Sequence, residues 1–300
     1  MNSINVKFYP IFFNVKRYVE LMKIKVVILM LITALVGIVL APKIYFNVSH
    51  ILLSLCGIGL MSSAAAVINH ILDFKIDCQM QRTHTRPIPR AEITQQQALF
   101  FATFLGVSGF LLLYCKINPI TAYLTLFSLV GYAVIYTAFL KRKTSQNIVI
   151  GGLAGAMPPL LGWTSVTSEW DPQALILVMM IFSWTPAHFW ALAIHKKQDY
   201  EKTNLPMLPI THGVEYTKTQ VCLYSILFFL TSLLPYLVGL SGLFYLLGAT
   251  ILCSWFLFRA LQLKFYPEQY NPIQFFILSN WVLLFIFLLL LFDYLGKFLL

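Results

Sequence analysis

Ile51-Leu-Leu-Ser-Leu-Cys-Gly-Ile-Gly-Leu-Met-Ser-Ser-Ala-Ala-Ala-Val-Ile-Asn69-His-Ile-Leu72 carries no charge and runs directly into Asp73-Phe-Lys-Ile-Asp77-Cys-Gln-Met-Gln-Arg82-Thr-His-Thr-Arg86-Pro87. About 20 helical residues cross a bilayer, so the first part reads as a transmembrane helix and the second as its polar rim. Positions four apart drift only about 40° around a helix, which places Asn69, Asp73 and Asp77 near one face. Two carboxylates and an amide there, with arginines just beyond, suit a magnesium ion holding a polyphosphate. Mg²⁺ takes hard oxygen ligands, usually one or two protein carboxylates, and completes its shell with water and substrate phosphate. Arg82 and Arg86 add planar forks that pair bidentately with phosphate oxygens.

The same alternation of apolar runs and polar rims fills the chain. It is 59% hydrophobic, has a mean hydropathy of +0.78 and is only 11% charged. A soluble domain is nearer a quarter charged, so the composition excludes one and predicts an all-α, polytopic membrane protein. Nine spans are expected: residues 26–41, 51–72, 98–115, 117–140, 148–163, 174–194, 221–238, 242–258 and 273–292. The uncharged run from Thr219 to Phe258 is far too long for one crossing and must turn, most simply at Pro235 and Gly239-Leu-Ser-Gly242. Of the 21 lysines and arginines, all but Lys43, Lys116 and Lys297 fall on one side of this arrangement. The positive-inside rule then puts the N-terminus and the even-numbered loops in the cytoplasm. The net charge of +10 is accounted for by topology, and no nucleic-acid partner is implied.

The whole chain, 1–300, reads as one membrane domain with a cytoplasmic arm over residues 1–22. No small-residue cleavage pattern follows the first apolar segment, and the arm is poor in Arg and Ser, unlike a mitochondrial transit segment. Cys56, Cys78, Cys115, Cys222 and Cys253 form no C-x-x-C pair and read as small apolar fillers.

Four crossings separate the loop after span 2 from the loop after span 6, so both lie on the same side. The second opens with His188-Phe-Trp-Ala-Leu-Ala-Ile-His195-Lys-Lys197-Gln-Asp199-Tyr200. Its spacings of seven and four put His188, His195 and Asp199 near one face, and the two loops can close over one site. Asp73 and Asp77 are then expected to hold the metal, and Arg82, Arg86 and Lys197 the phosphates. The bland alternative is a set of solvated loop charges, with the aspartates paired to Lys75 or Arg82. Carboxylates at the end of an apolar span are rarer and more often functional than loop acids, which favours the site.

N-x-x-x-D-x-x-x-D followed by R-T-x-x-R-P resembles the first signature of the UbiA-type intramembrane prenyltransferases. Three further stretches resemble one branch, the protohaem IX farnesyltransferases or haem O synthases. These are Lys141-Arg142-Lys143 through Gly151-Gly-Leu-Ala-Gly-Ala-Met-Pro158-Pro159-Leu-Leu-Gly162-Trp163, then Trp184-Thr-Pro186-Ala-His188-Phe-Trp190, and Asp199-Tyr200 with Leu205-Pro206-Met-Leu-Pro209. The resemblance implies a nine-helix fold and transfer of a farnesyl group from farnesyl diphosphate to a vinyl group of haem b. Water addition completes the reaction, giving haem O and diphosphate. It further implies Mg²⁺ on Asp73, Asp77 and Asp199, Asn69 orienting a carboxylate or the diphosphate, and Lys23 among the diphosphate contacts. The chain departs from the wider pattern in having Ile24 after Lys23 where many relatives have proline. It also has His195 where a second acidic ligand or a tyrosine often stands, so His195 receives no role.

For the haem, His188 (the better placed), His70 and Tyr200 are the candidate contacts, against the commoner alternative that a histidine at a span end bonds a neighbouring helix, and Lys or Arg of the loop after span 4 is a candidate for the propionates. His50, His84 and His212 read as loop residues. Pro158-Pro159 is expected to break span 5. The implied partners are farnesyl diphosphate, haem b, the lipid bilayer, and a downstream haem A synthase or terminal oxidase, in a bacterial inner (plasma) membrane. Prenylation of another acceptor, a secondary transporter and a non-catalytic haem chaperone are the competing readings. The transporter reading is disfavoured because the acids cluster at the rim, whereas transport sites lie near the midplane.

Overall fold

The computed structural model describes residues 11–42 and 47–296. Lys7, Lys43 and Lys297 of the topology count, and the start of the N-terminal arm, lie outside the described residues. Among the described residues, eight helices are long and apolar enough to cross a membrane: Val48–Leu72, Gln95–Lys116, Pro119–Lys143, Asn147–Thr167, Pro172–His195, Val214–Leu237, Leu243–Phe265 and Pro272–Gly296. A ninth span arises from Val15–Leu21 and Ile24–Leu40, which pass the same test together but are bent by 54°. With that pair as span 1, all nine expected spans are present. Most boundaries move outward by a few residues because the helices continue through their polar ends, while the starts of spans 4 and 8 and the ends of spans 1 and 7 move inward by one or two.

Each span packs on its successor in the chain and span 9 returns to span 1, closing a ring. Spans 6 and 9, and spans 1 and 5, also meet. Span 6 is the most enclosed and buries Trp184, His188 and Trp190, whereas Phe100, Leu237 and Ile251 point outward as expected of a lipid-facing surface. Spans 1 and 5 approach until their backbones touch. A methyl group added at Gly37 would collide with the Pro159 carbonyl, and one at Gly162 with the Ala34 carbonyl. Small residues permit such contact in lipid, where packing rather than water drives association.

Span 5 is interrupted at Met157 and resumes at Pro158, as the proline pair predicts, since proline supplies no amide hydrogen and suits the first turn of a helix. The turn in the long uncharged run also falls where expected, with span 7 ending at Leu237 and Gly239 adopting a φ of 74°. That left-handed conformation is cheap only for glycine. An acid in span 9 secures the restart: Asp293 accepts hydrogen bonds from the amides of Gly242 and Tyr245. It serves as an N-cap for span 8 borrowed from a neighbouring helix. His50, expected in a loop, lies in the first turn of span 2 and bonds the Ser165 carbonyl at 2.8 Å.

Candidate active site

Span 2 ends at Leu72, Asp73 sits at its C-cap with φ −85° and ψ 0°, and a short helix, Phe74–Asp77, carries on. The chain thus stays nearly helical through the acidic positions, and Asn69 and Asp73 share a face. Asn69 Nδ2 donates to Asp73 Oδ2 at 3.0 Å and to Thr137 Oγ1 at 3.2 Å, while its Oδ1 accepts from Lys23 Nζ at 2.7 Å. Asn69, Asp73 and Asp77 are each at most 4% exposed. A buried carboxylate requires a cationic or hydrogen-bonding partner. Asp73 Oδ2 has Lys141 Nζ at 2.6 Å, and Asp77 Oδ2 has Arg86 Nη1 at 2.7 Å. The partners are therefore neither Lys75 nor Arg82.

Lys141 was not expected here. The reading that loop 4–5 cations meet haem propionates is corrected for two of them: Lys141 holds Asp73, and Arg142 Nη2 donates to the Leu72 carbonyl at 2.8 Å, closing the C-terminal turn of span 2. What delivers them is the second half of span 4, wound as a π-helix over Gly131–Leu140. Such wide turns are rare and concentrate at functional sites. Thr137 donates to the carbonyl of Tyr132, five residues back, and accepts from Asn69. Gly151 leaves room for the Tyr136 ring, where a Cβ would clash. No single-sequence pattern announces this winding.

Lys23 occupies the bend between the two arms of span 1 with φ 52° and ψ 48°. A side chain in the left-handed region costs about 1 kcal/mol or more and persists where surroundings demand it. Here the bend aims its ammonium at Asn69. The arm before it is tied down by Arg17, whose Nε lies 2.7 Å from Glu92 Oε2, and by Tyr18 packed edge-on against Phe101.

Loop 6–7 lies close enough for Asp73 to act on Tyr200. Tyr200 is raised above the ordinary tyrosine range by burial, and the charges of Arg82, Asp73, Arg86 and Asp199 all act on its hydroxyl. Asp199 is 8% exposed. Lys197 is not gathered in: it is 40% exposed and pairs with Glu201 at 3.4 Å. Arg82 is exposed at the mouth.

A metal fits part of the expected set. Asp73 Oδ1 is buried with no hydrogen-bond partner, a lone pair whose desolvation is uncompensated until a cation or donor meets it. No group of three or more histidine, cysteine or acidic side chains converges tightly enough to hold an ion among the described residues. Asp199 therefore does not share one ion with Asp73 and Asp77 in this arrangement. Two carboxylates are the usual protein contribution to a magnesium–phosphate site.

His188 lies within span 6, stacked between Trp184 and Phe276 at centroid distances of 4.2 and 4.3 Å, with Nδ1 2.6 Å from Ser279 Oγ. His70 is 3% exposed with both ring nitrogens sealed and unpartnered, and His195 ends span 6.

The model of the UbiA prenyltransferase family matches residues 30–292. A protohaem IX farnesyltransferase 2 of Pseudoalteromonas atlantica is 53% identical over 281 residues, covering 94% of this chain and 92% of that protein. A protohaem IX farnesyltransferase of Colwellia psychrerythraea is 52% identical over 284 residues, covering 95% and 93%. Among solved structures, a digeranylgeranylglyceryl phosphate synthase superposes with a TM-score of 0.75 at 20% identity, covering 94% of this chain and 99% of that one. A UbiA homologue from Archaeoglobus fulgidus bound to DMAPP and Mg²⁺ superposes with a TM-score of 0.67 at 14% identity, covering 91% and 99%.

Proposed function

Because the chain belongs to the UbiA prenyltransferase family, we infer that it transfers the farnesyl group of farnesyl diphosphate to a vinyl group of haem b, with water addition, giving haem O. The carrying observation is the buried chain Lys23–Asn69–Asp73–Lys141. It ends in a carboxylate oxygen without a partner, beside Arg86 on Asp77. That is a site for an anion bridged by a cation, as a prenyl diphosphate with Mg²⁺ would supply. The haem acceptor is supported by relatives at 52–53% identity that carry the protohaem IX farnesyltransferase name.

Asp73 and Asp77 would hold Mg²⁺, which when bound offsets charge building on the departing diphosphate. Asp199, on the facing loop, would approach the diphosphate from its other side. Lys23, Lys141, Arg86 and Arg82 place four cations around the same region, and donors aimed at developing charge are the strongest single contribution to such a step. Asn69 keeps Asp73 oriented. The farnesyl cation left behind must meet the vinyl group before water does, and aromatic side chains such as the buried Trp184 would help to shield it. Lys197, exposed and paired with Glu201, would have to swing inward to take a phosphate. His188 would contact the haem iron, and Tyr200 would sit between the haem and the diphosphate. The site faces the cytoplasm of a bacterial inner membrane, since the basic residues gather on that side. Haem O would pass to a haem-modifying enzyme or oxidase in the same membrane.

The test is mass spectrometry of haem extracted from membranes incubated with haem b, farnesyl diphosphate and Mg²⁺. A species heavier by farnesyl plus water, absent for Asp73→Ala, is the expected result. Unchanged haem, with diphosphate still released when an aromatic acid is supplied, would retain the prenyltransferase and sink the acceptor. Asp77→Asn should abolish diphosphate release while leaving haem binding intact, which a haem chaperone would not show.

A further inference from the structure

His188 is held by Trp184 of its own span and by Phe276 and Ser279 of span 9, and the hydrogen bonds have a direction. The Ser279 hydroxyl has one proton and donates it to the Phe276 carbonyl at 2.6 Å. Its oxygen can therefore only accept from the imidazole nitrogen 2.6 Å away, so His188 Nδ1 carries the hydrogen. Neutral imidazole has one N–H, which leaves the lone pair on Nε2. That nitrogen has no hydrogen-bond partner among the described residues, and unlike both nitrogens of His70 it is not sealed off.

The ring plane is fixed as firmly as the proton. Trp184 stacks on one face at 4.2 Å and 20°, and Phe276 on the other at 4.3 Å and 26°. The Trp184 indole N–H donates to the Ser279 carbonyl at 2.9 Å, so the same residue anchors both the slab and the tautomer. Serine hydroxyls in helices commonly bond a carbonyl one turn back, which means that Ser279 needs nothing from His188 for its own satisfaction. The reverse does not hold: without Ser279, the imidazole has no means of choosing which nitrogen keeps the proton.

We propose that Ser279 is a positioning residue that presents the unprotonated Nε2 of His188 to the iron of the haem acceptor. This rests on the haem reading above. A histidine that ligates a metal through one nitrogen typically donates from the other to a fixed oxygen, which sets tautomer and orientation. The Ser279–His188 pair has that form, built across spans 6 and 9. It would hold the haem iron at one distance and the macrocycle at one tilt.

The experiment uses the full chain in nanodiscs, titrated with ferric and reduced protohaem and read by absorption and by the iron–imidazole stretch in resonance Raman. Wild type should show histidine ligation, and His188→Ala should lose it. Ser279→Ala should weaken haem binding about three- to tenfold, the scale of one ordinary hydrogen bond, and broaden or split the iron–imidazole band. KM for haem should rise while KM for farnesyl diphosphate and the melting midpoint stay put, and Ser279→Thr should restore the wild-type band. A Ser279→Ala protein with wild-type haem affinity and band overturns the proposal. So does one whose melting midpoint and both KM values shift together, because the residue is then structural. Histidine ligation persisting in His188→Ala would instead sink the underlying haem contact, an outcome distinguishable from either.

Discussion

Replacing Lys141 with methionine keeps the length of the side chain and removes its charge. The lysine lies 2.6 Å from Asp73 Oδ2, and the two side chains are 14% and 3% exposed, so water does little to screen the pair. Losing one charge-assisted hydrogen bond costs roughly 1.5–3 kcal/mol. If that stabilisation is felt by the departing diphosphate, kcat falls by about 10- to 150-fold at 1.36 kcal/mol per decade. Lys141 also competes with any cation for the carboxylate of Asp73. Its removal should therefore lower the Mg²⁺ concentration giving half-maximal activity even as kcat drops, a split that general damage does not produce. Haem O formation, followed by chromatography across a Mg²⁺ series at saturating farnesyl diphosphate, reads both quantities. A Lys141→Met enzyme with undiminished kcat, or one needing more Mg²⁺ than wild type, would refute the assignment of Lys141 to Asp73 and to the leaving group.

Thr137→Val removes the acceptor for Asn69 Nδ2 and the bond to the Tyr132 carbonyl; activity should fall about fivefold, for roughly 1 kcal/mol, and Thr137→Ser should retain it in the same assay. Asp293→Ala strips the cap from the Gly242 and Tyr245 amides, so thermal unfolding should show a loss of about 1–2 kcal/mol with both KM values unchanged. Gly162→Ala drives a methyl group into the Ala34 carbonyl, whereas a Cβ at Gly155 meets nothing within 4 Å. Size-exclusion profiles should show little folded protein for the first variant and a wild-type peak for Gly155→Ala.

Hydrophobic run length is set by bilayer thickness, so eight of the crossings, the bent first one and the turns between them were readable from residues alone. The spacing of Asn69, Asp73 and Asp77 was readable for a similar reason, because a helix converts a separation of four into a shared face. Neither argument reaches across helices. Lys141 lies 68 positions from Asp73 and Lys23 lies 46 from Asn69, and nothing local marks either as a partner. A basic cluster after span 4 carries the same topological signal whether it points at water or at an acid. Lys197 shows the converse: it stands beside Asp199, where a phosphate contact was expected, yet the helix Lys197–Glu201 turns it toward Glu201.

Composition thus determined by itself that this chain is built of membrane-spanning helices, and the spacing of its motifs that it carries an acidic and basic rim suited to a metal-held polyphosphate. Both follow from interactions each segment makes with its solvent or within its own helix. Tertiary structure alone decided which cation meets which carboxylate, that Asp73 keeps one oxygen free, that span 4 unwinds into a π-helix to deliver Lys141, and that Ser279 meets Nδ1 of His188. Those outcomes depend on which faces of distant helices come together when the ring closes, and a buried charge or imidazole takes its state from whatever the packing places within 3 Å of it.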